Sequence, residues 1–266
     1  MAEKMATKRR LTALIPVFNE AHNLRDVLAS ARFADEVLVV DSFSTDGSLE
    51  IAKSLADRII QREYQNSASQ KNWAIPQASH EWILLVDADE RVPEKLQAEI
   101  KALLNGEEAP EKAYWIRRQN WFLGQKVRFS GWQNDRVIRL FHRDLRYEDK
   151  RVHSEIQVQG HAGQLKNPLL HHTARSMEAY LEKWKRYARW KAEDAFARGV
   201  KPGFVQFFLE PPFRFWRQYL LQGGILDGWT GLVICGLEGS SVLLRYFYLW
   251  GMWREAEAGA RPGNPR

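Results

Sequence analysis

The sequence predicts an α/β protein, a mostly parallel sheet flanked by helices, followed by a helical and aromatic-rich C-terminal extension. Three observations carry that expectation. Apolar β-type runs alternate with helical stretches four times between Leu11 and Leu104, which is the pattern of a parallel sheet covered by helices. Three of those four runs end in polar, acidic loops. Beyond Ser176 the β-type runs give way to helical spacing, and aromatic residues become dense.

Taken in order, Leu11 to Val17 is a β-type run, and Pro16 near its end restricts further pairing. Phe18-Asn19-Glu20 makes a turn into an amphipathic helix with Leu24, Val27, Leu28 and Ala31 on one face. Glu36 to Val40 is a second strand ending on Asp41, and the loop D-S-F-S-T-D-G-S leads to a helix from Ser48 to Ala56. Arg58 to Gln61 is a short third strand. Ser67 to Ala78 reads as helical, bent or ended by Pro76. Trp82 to Val86 is an apolar run suited to a strand buried on both faces. Pro93 opens the next helix, which runs to Leu104.

Composition limits the function classes. At 266 residues with 45% hydrophobic residues, the chain suits one domain with an extension or two small ones, and it is not disordered. The single cysteine, Cys235, excludes an intramolecular disulfide framework and fits a reducing compartment. A net charge of +6 favours anionic partners such as nucleotide phosphates or acidic lipid surfaces. Met1 to Arg10 lacks the apolar stretch of a secretory signal, so export is not expected.

The chemistry concentrates at Asp87, Asp89 and Glu90, which close the fourth strand. If extension continued through Ala88, Asp87 and Asp89 would project to one side, and a cation would have to offset their repulsion. Hard oxygen ligands suit Mg²⁺ or Mn²⁺ carrying a phosphorylated ligand. The plainer alternative is a solvated acidic turn before the helix at Pro93. No G-x-G-x-x-G follows the first strand and no G-x-x-x-x-G-K-[ST] occurs. An acidic loop in their place points to phosphates neutralised by metal.

L-I-P-V-F-N-E, V-V-D-S-F-S-T-D-G-S, Q-K-N-W-A and L-V-D-A-D-E, in this order, resemble the family 2 inverting glycosyltransferases of the GT-A (Rossmann-like) fold. The resemblance covers Leu11 to about Leu104. D-A-D-E, R-L-F-H-R and V-H-S-E narrow it to the bacterial lipopolysaccharide inner-core β-1,4-glucosyltransferase group. It implies a nucleotide-sugar donor, first of all a UDP-sugar, and a lipid-linked, heptose-bearing acceptor. Asp41 would then hydrogen-bond the nucleobase, with Glu20 and Lys71 lining the base and ribose pocket and Pro16 among the donor-site positions. Asp87 would lie near the ribose, and Asp89 would hold the metal. A solvated helix lysine is the plainer expectation for Lys71.

An inverting transfer needs a carboxylate to take the acceptor hydroxyl proton. Glu155 is the first candidate, although V-H-S-E inserts Ser154 where related sequences show V-H-E. Asp135 is the second, and Glu90 is the third. His153 suits a structural role better than a metal ligand, and His171-His172 lacks the spacing of a helical zinc pair. Arg136 and Arg139 are candidates for the donor diphosphate or acceptor phosphates. Mixed strands between Ala113 and Phe141 and a mobile loop around Arg143 to Arg151 complete a catalytic domain of residues 1–172.

Residues 173–266 form the extension. Ser176 to Arg198 is a capped helix, and two aromatic-rich runs, Phe204 to Leu209 and Phe213 to Leu221, are separated by Pro211-Pro212. Asp227, Glu238 and Arg245 interrupt the apolar stretch Ile225 to Trp253, so a conventional transmembrane helix is not expected. Arginines interleaved with tryptophan and tyrosine suit a helix pair in the interface of an anionic membrane. The expected setting is the cytoplasmic face of a bacterial inner membrane. Single-stranded nucleic acid could use the same interleaving, but an acidic donor site argues against it. The alternatives are transfer to a polyprenyl-linked or capsular glycan, or a non-catalytic scaffold that binds a nucleotide sugar.

Overall fold

The computed structural model describes residues 9–106, 111–148, 155–174 and 176–259. The strands are β1 (Leu11–Val17), β2 (Glu36–Asp41), β3 (Arg58–Gln61), β4 (Trp82–Leu85), β5 (Glu90–Arg91), β6 (Ala113–Phe122), β7 (Gln125–Lys126), β8 (Arg136–His142), β9 (Gly163–Gln164) and β10 (Leu169–Ala174). The helices are α1 (Ala21–Ala31), α2 (Ser48–Leu55), α3 (Ser67–Ala74), α4 (Glu94–Leu104), α5 (Met177–Ala197), α6 (Glu210–Trp216) and α7 (Gly228–Gly259).

The sheet runs in the order β3-β2-β1-β4-β8-β6-β10-β5. Its first four strands are parallel, and β8 joins β4 and β6 antiparallel. The sheet is therefore mixed: the parallel half follows the alternation legible in the sequence, and the antiparallel half comes from the irregular middle of the chain. Period-2 alternation sorts the core into two faces. Ala13, Ile15, Val37, Val39, Leu84 and Val86 pack with apolar residues of α1 and α4. Leu14, Leu38, Val40, Ile83 and Leu85 pack with Ala68 and Ala74 of α3.

Prolines act where their chemistry requires. Pairing of β1 with β4 ends at Leu14↔Leu85, before Pro16, but pairing with β2 continues through Pro16↔Val40 to Val17↔Asp41, so the expected restriction holds on one side only. Pro76 converts the end of α3 into a single 3-10 turn, Ile75–Gln77. Pro211-Pro212 was expected to separate two segments, yet helical structure is continuous through both residues. Wider π turns at Val205–Leu209 and Arg217–Leu221 flank α6. A wider turn accommodates residues that cannot donate to the helical ladder.

The chain folds as two compact units, Met1–Gln119 with Asp135–His171, and Asn120–Asn134 with His172–Arg266. Asn120–Asn134, in the middle of the chain, thus belongs with the C-terminal helices. Within that second unit, Asp227 accepts from the backbone of Arg128 (3.0 Å) and Phe129 (2.9 Å) and from the Ser130 hydroxyl (2.7 Å). The glycine-studded stretch is one long helix, and segment Gly224–Ala258 is long and apolar enough to cross a membrane by length and composition alone. Some of its glycines permit close approach: a Cβ at Gly239 would lie 3.0 Å from the carbonyl oxygen of Pro211.

Candidate active site

The loops after β1 and β2 are tied to each other. The Asn19 N–H donates to Ser44 Oγ (2.9 Å), and Asn19 Oδ1 accepts from the Thr45 N–H (2.8 Å). Asp46 accepts from the Ala21 N–H (3.0 Å), and Ser48 Oγ accepts from the Glu20 N–H (2.9 Å). Asn19 and Phe43 have positive φ, 54° and 60°, a conformation asparagine tolerates better than phenylalanine does. Asp41 is buried and accepts from the Gln61 amide (2.8 Å) and the Ser44 N–H (3.3 Å). The Glu20 carboxylate accepts from the Asn23 amide at 2.7 Å. Pro16, Glu20 and Asp41 therefore stand at neighbouring strand ends.

Extension does not continue through Ala88, so Asp87 and Asp89 do not share one side of a strand. The chain turns, with the Glu90 N–H donating to the Asp87 carbonyl (2.9 Å) and Glu90 Oε2 accepting from the Asp87 N–H (3.0 Å). The two aspartates consequently meet different surroundings. Asp87 Oδ1 lies 3.4 Å from Lys71 Nζ, and Asp87 Oδ2 accepts from Arg139. Burial pushes the Asp87 carboxyl up, but Arg139, Lys71 and Arg118 outweigh it and hold the group far below the usual carboxylate range. Asp89 Oδ2 instead lies 3.4 Å from His171 Nε2. Antiparallel pairing of His171 with Glu90 brings that histidine to the turn.

Glu90 has no exposed surface. Its Oε1 accepts from Arg139 Nη2 (2.7 Å) and Nε (3.3 Å), with Arg118 Nη1 at 3.7 Å. Arg118 also grips Asp135 with two hydrogen bonds, at 2.8 and 3.0 Å. Lys71, Asp87, Arg139, Glu90, Arg118 and Asp135 thus form one chain of alternating charge. This places Lys71 as a buried residue, not a solvated one, with its ammonium 5.1 Å above the Tyr147 ring. It also revises the phosphate expectation for Arg139, whose guanidinium is buried and already bound by two carboxylates. Arg136 lies over the Trp115 ring at 4.9 Å.

Glu155 is exposed, and its carbonyl accepts from the Glu148 N–H (2.9 Å) beside the Tyr147↔Ile156 bridge. Residues 149–154, including His153 and Ser154, lie outside the described residues, as does the end of the loop expected at Arg143 to Arg151. Sequence reasoning missed the facing of His171 to Asp89 and the role of Arg118. The first depends on strand register, and the only signal for the second was its arginine pair with Arg117.

Residues 12–157, more than half the chain, match the family described as "Glycosyl transferase family 2". The chain belongs to glycosyl transferase family 2. Among curated relatives, this glycosyltransferase is 28% identical over 258 residues to the lipopolysaccharide core biosynthesis glycosyltransferase LpsC of Rhizobium meliloti (strain 1021), covering 91% of this chain and 95% of that one. It is 24% identical to an uncharacterized glycosyltransferase of Rickettsia bellii (strain RML369-C), over 85% of this chain and 81% of that one. Among solved structures it is similar to the mannosyltransferase PcManGT from Pyrobaculum calidifontis in complex with GDP-Man and Mn²⁺. That likeness has 19% identity and a TM-score of 0.49, and covers 99% of this chain and 79% of that one.

Proposed function

We propose that this family 2 enzyme transfers a hexose, with glucose the first candidate, from a UDP-sugar to a heptose-bearing lipopolysaccharide core acceptor, inverting the anomeric carbon. The carrying observation is the unequal treatment of the two aspartates. Asp87 is already neutralised by Arg139 and Lys71, whereas Asp89 meets the nitrogen of His171. Likeness to LpsC along nearly the whole chain supports the core-lipid acceptor.

Among the described residues, no three His, Cys, Asp or Glu groups gather into a metal site. An oxygen and a nitrogen from two residues, with diphosphate and water completing the set, suit Mn²⁺ better than Mg²⁺, which prefers oxygen ligands throughout. A divalent ion held by Asp89 and His171 would stabilise the departing nucleoside diphosphate. Asp41 and Glu20 hold the nucleobase and ribose side together with Lys71, next to Pro16, and Asp87 faces the ribose.

For the base, geometry favours Glu155. Both oxygens of Asp135 are committed to Arg118, and Glu90 cannot reach an acceptor from its buried position. Glu155 is exposed and in the same compact unit as the aspartates. In this reading residues 1–172 perform the transfer. Residues 173–266 hold the enzyme at the anionic cytoplasmic face of the inner membrane.

The test is incubation with a panel of UDP- and GDP-sugars, each with purified core lipids or polyprenyl-linked glycans, with products read by mass spectrometry. A hexose added to the core lipid is expected, and Asp89→Ala should abolish it. Transfer only to polyprenyl-linked or capsular glycans would replace the acceptor. Undiminished transfer by Asp89→Ala would remove the metal assignment.

A further inference from the structure

The helical run from Val205 to Leu221 is inside out. Its exposed side carries Phe208 (63%), Phe213 (64%), Trp216 (53%) and Leu220 (54%), recurring every three to five residues, and then Leu221 (82%). Its polar residues Glu210, Arg214 and Gln218, spaced by four, are half-buried or buried instead. A surface helix in water shows the reverse, with its polar face outward.

Two of these polar residues meet partners on α7, whereas the buried Gln218 amide oxygen makes no hydrogen bond among the described residues. Arg214 pairs with Glu238 at 3.5 Å, and Glu210 accepts from Arg245 at 3.0 Å and from the Tyr246 hydroxyl. Glu238 and Arg245 are two of the charges that interrupt the apolar stretch of α7, and both are thereby matched by opposite charge. The exposed face of α7 carries Trp229, Val233, Phe247 and Trp250, and their spacing places them on one side of a helix.

We infer that α6 and α7, with the flanking π turns, embed their apolar rows in the hydrocarbon layer of a lipid bilayer. Hydrocarbon demands what these helices provide: apolar side chains outward and charges paired inward. A protein partner would instead meet a polar rim with hydrogen-bonding groups. The exposed row of the Val205–Leu221 run offers one charged side chain, Arg217, whose stem is long enough to lift its guanidinium to the headgroups. Binding is then hydrophobic insertion, and anionic lipid is an aid, not a requirement.

The inference deepens the reading of a lipid-linked acceptor, and its test is read separately from sugar transfer. The full chain is floated with pure phosphatidylcholine vesicles and with vesicles containing phosphatidylglycerol, at about 0.1 M and about 1 M salt, conditions that bracket strong screening. Wild type should float with both vesicles at both salts. The triple variant Phe208→Gln/Phe213→Gln/Leu221→Gln should lose roughly 1,000-fold in partitioning, since each large apolar side chain buried contributes about tenfold. All three positions are exposed, so an unchanged circular dichroism melt and unchanged transfer to a detergent-free, short-chain acceptor are expected. Flotation that needs anionic lipid and vanishes at high salt would overturn insertion. So would a stable dimer whose association, and not flotation, is lost in the triple variant. Loss of transfer with flotation intact would strike the proposed reaction alone.

Discussion

Replacing Arg139 by methionine should cost this protein much of its stability. Arg139 is buried and satisfies Asp87 and Glu90 together. Without it, Glu90 keeps, among the described residues, only the Asp87 N–H at 3.0 Å and Arg118 Nη1 at 3.7 Å, with no solvent exposure. Removing one partner of a buried pair typically costs ~3–5 kcal/mol, and the remaining arginine argues for the lower end, ~3 kcal/mol. Asp87 adds little, because its side chain is 34% exposed and keeps Lys71 at 3.4 Å. Solvent screens such a group. In urea, a slope of ~2 kcal/mol/M converts the loss into a midpoint lower by ~1.5 M. The double variant Glu90→Leu/Arg139→Met should regain much of this, since two apolar groups leave no orphaned charge. The assay is urea unfolding followed by far-ultraviolet circular dichroism on all four members of the cycle. A single variant within ~0.3 M of wild type, or a double variant worse than the sum of the singles, would refute the account.

Three further outcomes follow from the same geometry. His171→Ala should raise the Mn²⁺ concentration for half-binding at least ~10-fold, measured by electron paramagnetic resonance without substrate; unchanged binding would remove His171 from the site. Glu155→Gln should lower kcat by ~10²–10⁴ with donor affinity retained, whereas Asp135→Asn should mainly lower stability by releasing Arg118. The reverse pattern would make Asp135 the base. For pH, the Asp87 carboxyl lies below its ordinary value of 3.8 in the folded state, with burial outweighed by Arg139, Lys71 and Arg118. Its pairing therefore contributes stability that is full above that ordinary value and is lost as pH falls through the lowered folded one. The stability gap between wild type and Asp87→Asn should stay flat from about pH 8 to pH 5 and close only under stronger acid. Closure between pH 8 and 5 would contradict the ion pairing.

The parallel half of the sheet was legible because each element carried its own signal. Buried runs such as V-L-V-V end on Asp41, and the amphipathic face of α1 follows a period of 3.6. The polar strand ends were legible too, and the structure ties the loops after β1 and β2 together through Asn19, Ser44 and Thr45. What was hidden depends on register and long-range pairing. No local pattern says that His171 pairs with Glu90 or that Arg139 reaches back to Asp87. The turn at Ala88 was hidden for a related reason, since a buried glutamate folding back onto the Asp87 N–H looks in sequence like one more acid. Counting uncharged runs concealed the continuity of α7, because charges matched by a neighbouring helix interrupt hydropathy without interrupting the helix.

The grip of Asp227 on Arg128, Phe129 and Ser130 has a consequence for biosynthesis. The hydroxyl of Ser130 waits 97 residues for the carboxylate that accepts its hydrogen bond. At ~5–20 residues per second of translation, that interval is about 5–20 s. The parallel strands and the aspartates are already synthesised when that interval begins, whereas the segment Asn120–Asn134 still lacks the residue that fastens its loop. Truncations ending before Asp227 should therefore leave this segment open to proteolysis even where the sheet has formed.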